Sequence, residues 1–120
     1  MTIAFDTTER GAVRVRLHDG KKEVRRTRKM FADALLYFVA GLVKKNHPDL
    51  IAVVNGPGGF SATRNGVAIG NALAYGWNVP IAAITKEQFD SRAPLPRKGL
   101  ASIAVVYGSE PNITKKKMRL

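Results

Sequence analysis

The chain has 120 residues, with 20 Lys and Arg against 9 Asp and Glu, a net charge of +11, and 45% hydrophobic residues. That is the size and make-up of one globular domain rather than a disordered chain, and about two-thirds of its unfolded surface can be buried on folding. No cysteine is present, which excludes disulfides, thiolate metal sites and cysteine nucleophiles.

The first strand is expected at Thr2–Asp6, and Glu9-Arg10-Gly11 reads as a turn. Ala12–His18 alternates as A-V-R-V-R-L-H, the period of a half-buried strand. Asp19-Gly20 suits a two-residue hairpin turn, so Lys21–Arg28 returns as a third strand with a charged face. Asp6 and Glu9 also stand where a secretory leader would need its apolar segment, so the expectation is a soluble, cytoplasmic protein. The longest apolar run, Leu35 to Val43, is about half a membrane span, and no membrane association is expected.

The period changes at Met30–Lys45, where Phe31, Leu35, Phe38 and Leu42 share one helical face. Leu36, Tyr37 and Val43 make this helix apolar over more of its girth than one sheet requires, which points to an interface. Asn46 and Pro48 end it. Leu50–Val54 is a continuous apolar run, as expected of an inner strand covered on both faces. A glycine-rich loop, Asn55 to Arg64, leads into a helix ending near Tyr75. On that helix the row Ala62, Gly66, Gly70, Ala74 is entirely small. Each helical glycine costs about 1 kcal/mol relative to alanine, so another backbone comes close, from either a partner or the chain's own sheet. Val79–Thr85 is a further strand, and strand–helix–strand predicts a crossover with at least a partly parallel sheet. Lys86–Ser91 is a short helical turn, Ala93–Gly99 a linker, Ala101–Tyr107 a last strand, and Ser109–Leu120 a basic tail. Residues 1–92 therefore read as one lobe and 93–120 as linker, final strand and tail.

Four readings compete for the Gly56–Arg64 loop. A phosphate-binding P-loop would need a lysine after the glycines, and Phe60-Ser61-Ala62 stands there instead. The dinucleotide fingerprint fails at Ser61 and finds no acidic residue before Glu87. A nucleophile elbow at Ser61 fails at Thr63, and neither His18 nor His47 has an evident acid partner. What remains is anion attraction by helix amides beside Arg64, or a tight turn letting strand and helix approach.

Six basic residues lie between Lys21 and Lys29, and four more at Lys115, Lys116, Lys117 and Arg119. Such clusters serve either as a solvated strand edge and tail or as an electrostatic footprint for RNA. No aromatic residue is interleaved with them, so stacking on bases is not indicated.

The segment Gly56-Pro57-Gly58-Gly59-Phe60-Ser61-Ala62-Thr63-Arg64-Asn65-Gly66 resembles the G-P-G-S-F-T-G-x-R-x-G motif of the TsaB family, glycoprotease-like proteins needed to make threonylcarbamoyladenosine in transfer RNA. The likeness continues through Ala68, Ala72-Leu73-Ala74, Gly76 and Asn78-Val79-Pro80. Upstream, Ile3-Ala4-Phe5-Asp6-Thr7-Thr8 resembles the family's opening strand and turn, and Val106 to Thr114 its extreme C-terminus. Family members are similar to two-lobed actin-like ATPases. The resemblance therefore implies an α/β fold, a single ribonuclease-H-like lobe with a mixed five- to six-stranded sheet and two main helices. Most of a second lobe is missing between Leu95 and Leu100. The turn Asp6-Thr7-Thr8-Glu9 lacks the glycine that nucleotide-binding relatives use, and Arg26-Thr27-Arg28-Lys29 replaces the family's usual His-Ser-Gln segment.

The resemblance implies a non-catalytic scaffold subunit that pairs through its two helices with a catalytic TsaD-like subunit, with a TsaE-like ATPase as a further partner and tRNA engaged indirectly. The interface would use Phe31, Leu35, Leu36, Phe38, Val39, Leu42, Arg64, Gly66, Gly70 and Ala74. Asp6, Thr7, Gly58, Gly59 and Arg64 are candidate contacts for a nucleotide or anion, such as ATP or ADP at the partner interface, and no resident cofactor or metal is expected. The alternatives are a homodimer formed along an exposed sheet edge and a stand-alone basic RNA-binding module.

Overall fold

The computed structural model describes residues 1–9, 11–30, 34–43, 47–57, 60–91 and 95–104. Five strands form one sheet in the order β3-β2-β1-β4-β5. They are β1 (Thr2–Asp6), β2 (Ala12–His18), β3 (Glu23–Lys29), β4 (Leu50–Val54) and β5 (Ile81–Ile84). β1 pairs antiparallel with β2 and parallel with β4, while β4 and β5 are parallel, so the sheet is mixed. α2 (Phe60–Trp77) joins the parallel neighbours β4 and β5, whereas α1 (Leu35–Val43) connects the edge strand β3 to β4 across β2 and β1. The short α3 (Lys86–Asp90) closes the order.

The hairpin differs from the sequence expectation in its turn. His18 pairs with Glu23, so four residues connect the strands, and the Asp19 amide donates to the Lys22 carbonyl at 3.2 Å. Asp19 Oδ1 accepts the backbone amides of Lys21 and Lys22 at 3.0 and 2.7 Å, an Asx turn that takes up the extra residues. The last expected strand also differs. Residues 101–104 form none, and the β5 edge is met only by an antiparallel bridge from Leu100 to Ile81 among the described residues. Residues 105–107 lie outside them.

Alternation along the strands divides the core into two halves. Ile3, Phe5, Val13, Val15, Ile51, Val53 and Ile81 face α1 and α2, where Leu35, Val39, Val43, Val67, Leu73 and Ala74 complete the larger half. Ala4, Leu50, Ala52, Val54, Ala82 and Ile84 face the other way, against Phe89 of α3 and Leu95. β4 is thus buried on both sides, which is why it is apolar throughout. α3 is only five residues long and carries one buried side chain, so local capping supports it. The Thr85 hydroxyl accepts the Gln88 amide, and the Gln88 side chain accepts the Thr85 amide, a capping box.

The second face of the sheet is also held by arginines. Arg14 and Arg16 alternate with Val13 and Val15 on β2 and emerge under α3. Arg16 is 2% exposed. Its guanidinium donates to Glu23 Oε1 at 3.0 and 2.5 Å and to the Phe89 and Gln88 carbonyls at 2.8 and 3.2 Å. A cation thus meets the negative end of α3 and satisfies carbonyls that lack helical partners. Arg25, its cross-strand neighbour, donates to Glu23 Oε2 and the Ser91 carbonyl. Phe89 lies under both β2 arginines, its ring centroid 4.8 Å from Arg14 and 5.9 Å from Arg16.

Candidate functional site

The opening turn sits where β1 ends beside the start of α2. Asp6, Thr7 and Thr8 are all buried. Asp6 Oδ1 accepts the Thr8 amide at 2.8 Å and the Thr8 hydroxyl at 2.6 Å, and Oδ2 accepts Arg14 Nη2 at 2.6 Å. Arg14 reaches on with Nη1 to Asp90 Oδ1 at 2.6 Å, joining this turn to α3. Burial by itself raises the Asp6 carboxyl, but the hydrogen bonds from the Thr8 hydroxyl, Arg14 and the Thr8 amide outweigh it and hold it below its ordinary 3.8. In the same way burial raises Glu23 while Arg16 and Arg25 bring it below 4.5.

Both depressed carboxylates contribute stability that is present above their ordinary values and is lost as pH falls through their folded values. Urea unfolding followed between about pH 2 and pH 7 should therefore show the parent losing stability at the acid end, and an Asp6→Asn variant losing less of it. A variant whose acid limb matches the parent's would remove Asp6 from this account.

Thr7 points the other way, into α2. Its hydroxyl donates to the Ala62 carbonyl at 2.8 Å, and Gly66 lies directly beneath it. A Cβ built on Gly66 would overlap the Thr7 hydroxyl oxygen and stand 3.0 Å from Thr7 Cβ. One built on Gly70 would stand 2.8 Å from Val53 Cγ2 and 3.1 Å from Phe5 Cζ. Of the two uses open to the small row, packing against the chain's own sheet is the one displayed, and Ala74, 2% exposed, belongs to the same core.

Of the other expected interface residues, Leu35 and Val39 also point into the core, and Phe38 packs partly against it. Leu36 is 43% exposed, and Arg64 is exposed near the start of α2, apart from the enclosed Asp6 carboxylate. Leu42 lies on α1. Phe31, Gly58 and Gly59 fall outside the described residues. Asp6 and Thr7 are joined in one turn, but their polar atoms are engaged within the chain, and among the described residues neither is hydrogen-bonded to Arg64.

The outer surface of the helix pair has its own character. Leu36, Tyr37, Ala40 and Gly41 are exposed on α1, and Arg64, Asn65, Ala68, Ala72, Tyr75 and Gly76 on α2. Tyr37 is 80% and Tyr75 89% exposed. Among the described residues these exposed positions carry one charge, Arg64, in a strongly charged chain, and combine small residues with two exposed tyrosines. Ala68, Ala72 and Gly76 recur at helical spacing as a second small row, which the reading of the first row alone passed over. His47 stacks on Trp77 at 5.1 Å beside the end of α2. Among the described residues there is no cluster of three or more His, Cys, Asp or Glu able to hold a metal, and no helix is long and apolar enough to cross a membrane.

The family described as TsaD, tRNA N6-adenosine threonylcarbamoyltransferase, matches residues 30–89, which include both α1 and α2. A search of curated proteins gives no match. Among solved structures the fold is similar to that of YeaZ from Pseudomonas aeruginosa, with 25% identity and a TM-score of 0.62. That match covers 70% of this chain and 43% of YeaZ. A second structure, an uncharacterized protein from Pseudomonas aeruginosa with similarity to peptidase YEAZ, matches at 25% identity and a TM-score of 0.62, over 70% of this chain and 42% of that one. The chain thus spans less than half the length of either neighbour. With its mixed sheet and three helices in the ribonuclease-H-like arrangement of YeaZ, the chain belongs to the TsaD family and is a TsaB-like member of it.

Proposed function

We propose that this chain is a non-catalytic scaffold subunit in the synthesis of threonylcarbamoyladenosine in tRNA, and that it pairs with a catalytic TsaD-like subunit through the outer faces of α1 and α2. The observation that carries the reading is the outer face of these two helices, nearly uncharged among the described residues, within the segment that matches the family. Leu36 and Tyr37 in the first turn of α1 and Tyr75 in the last turn of α2 are the apolar anchors, and Ala68, Ala72 and Gly76 let a partner helix come close. The buried Asp6, Thr7 and Gly66 would support this face from below rather than touch the partner. Transfer of the threonylcarbamoyl group would take place on the partner.

A reconstituted reaction tests the proposal. Threonylcarbamoylation of tRNA by the TsaD-like subunit should rise when this chain is added. The Leu36→Asp/Tyr37→Asp variant should lose that effect and bind the partner about 30-fold more weakly or worse, with its melting temperature unchanged because both side chains are exposed. Stimulation by the variant equal to the parent's would refute the helical interface.

A further inference from the structure

Beside the helix pair lies one other unusual surface, at the β3 edge of the sheet. All seven residues of β3 are exposed, on both faces of the strand and along its open edge. The strand holds four basic residues and one acid, and that acid, Glu23, is already engaged by Arg16 and Arg25. Arg25 is likewise turned inward, to Glu23 and the Ser91 carbonyl.

Arg26 and Arg28 differ. By register they lie opposite Val15 and Val13, on the face that carries α1, away from the arginines under α3. Their only hydrogen bonds among the described residues run to main-chain carbonyls, from Arg26 Nη1 to Arg25 and from Arg28 Nη1 to Thr27. No described carboxylate forms an ion pair with either, nor with Lys29, Lys21 or Lys22. The Arg28 guanidinium rests over the Phe38 ring at 5.5 Å, which fixes its planar fork beside α1. Residues two apart on a strand repeat every 6.6 Å or so, so Arg26 and Arg28 form a short ladder of cations. Lys21 and Lys22 continue it around the hairpin turn.

We propose that this edge, Arg26 and Arg28 with Lys29 on the strand's other face and Lys21 and Lys22 at the turn, is a docking surface for the sugar-phosphate backbone of RNA. Charge complementarity selects the occupant. Unpaired cations repeated along an edge repel a second copy of the same strand, whereas a polyphosphate neutralises each and releases its counterions. β3 itself carries no aromatic residue, and Arg28 covers Phe38, so the strand reads charge and shape rather than sequence. The choice of RNA within nucleic acids rests on the scaffold reading above; the cationic edge does not.

The full chain and a fluorescent tRNA provide the test, by anisotropy over a salt series. The parent should bind with log affinity falling steeply against log salt. Arg26→Ser/Arg28→Ser/Lys29→Ser should bind about tenfold or more weakly at low salt, with the slope reduced by about 2 to 3. Lys98→Ser, which removes an exposed charge at the opposite, β5 edge of the sheet, should change binding less. Melting temperature should be the same for all three chains, because every substituted side chain is exposed. A triple variant that binds like the parent, a parent that does not bind, or equal losses in the two variants would each overturn the proposal. So would light scattering that shows a dimeric parent and a monomeric triple variant, which would assign the edge to self-pairing. Co-elution with a TsaD-like partner should survive the triple substitution, so failure here and failure of the scaffold reading are separable.

Discussion

An Arg16→Met variant is expected to lose about 3 kcal/mol of stability, with a melting temperature lowered by roughly 12 °C. Methionine can fill much of the space of the arginine stem, so the loss is not chiefly a cavity. It comes from what the guanidinium leaves behind. The Phe89 carbonyl loses the Arg16 donor at the end of α3, the Gln88 carbonyl keeps only the Ser91 hydroxyl, and Glu23 keeps only Arg25. A fully buried ion pair broken on one side costs about 3–5 kcal/mol, and because Glu23 is 26% exposed the lower end applies. Arg16→Met/Glu23→Gln should recover part of the loss, since no carboxylate is then left half-paired, and the more exposed Arg25 keeps the Ser91 carbonyl and water. Denaturant unfolding of the three chains checks this. A single variant within 0.5 kcal/mol or so of the parent would mean that α3 is held by Phe89 and its capping box alone.

The second large effect is at Gly66. Gly66→Ala should destabilise the chain by about 2 kcal/mol, because the new methyl group overlaps the Thr7 hydroxyl and displaces its hydrogen bond to Ala62. Elsewhere in a helix the same change would stabilise by up to about 1 kcal/mol, so the sign itself is diagnostic. Thr7→Ala removes the obstructing hydroxyl, and the double variant should be more stable than the sum of the two single losses, by about 1 kcal/mol. Additive losses would break the proposed link between β1 and α2. Gly66 is consequently a poor site for probing partner binding, because a bulky residue there would weaken the lobe itself.

Much of the fold was legible from periodicity. Thr2–Asp6, Ala12–His18 and Leu50–Val54 have the bounds expected of them, because alternation or a continuous β-branched run marks a strand locally. The role of Arg16 was not legible. An alternating arginine reads as the solvated side of a half-buried strand, and the carbonyls that cover it lie 72 and 73 residues further on. The Thr85-to-Gln88 capping box and the single Phe89 were the available signals that a short helix would land somewhere apolar. The small residues of α2 show the same limit from the other side. Sequence showed that something approaches Gly66 and Gly70 closely, but only the crossover places Thr7, Val53 and Phe5 there. The outward row Ala68, Ala72, Gly76 has the same spacing and is exposed, which makes it the row the proposed interface would use.

The basic hairpin divides in a comparable way. Composition made Arg25, Arg26 and Arg28 equivalent, and strand alternation separates them: Arg25 closes the sheet against α3, while Arg26 and Arg28 remain on the α1 side without acidic partners among the described residues. A charge run thus serves folding on one face and presents cations on the other.

The central claim is that this chain is half of a heterodimer. Co-expression with the TsaD-like protein of the same genome, followed by size-exclusion chromatography with light scattering, tests it most directly. The account predicts one peak whose mass equals one copy of each chain, and two separate peaks for Leu36→Asp/Tyr37→Asp with its partner. Separate elution of the parent chain and the TsaD-like protein would contradict it.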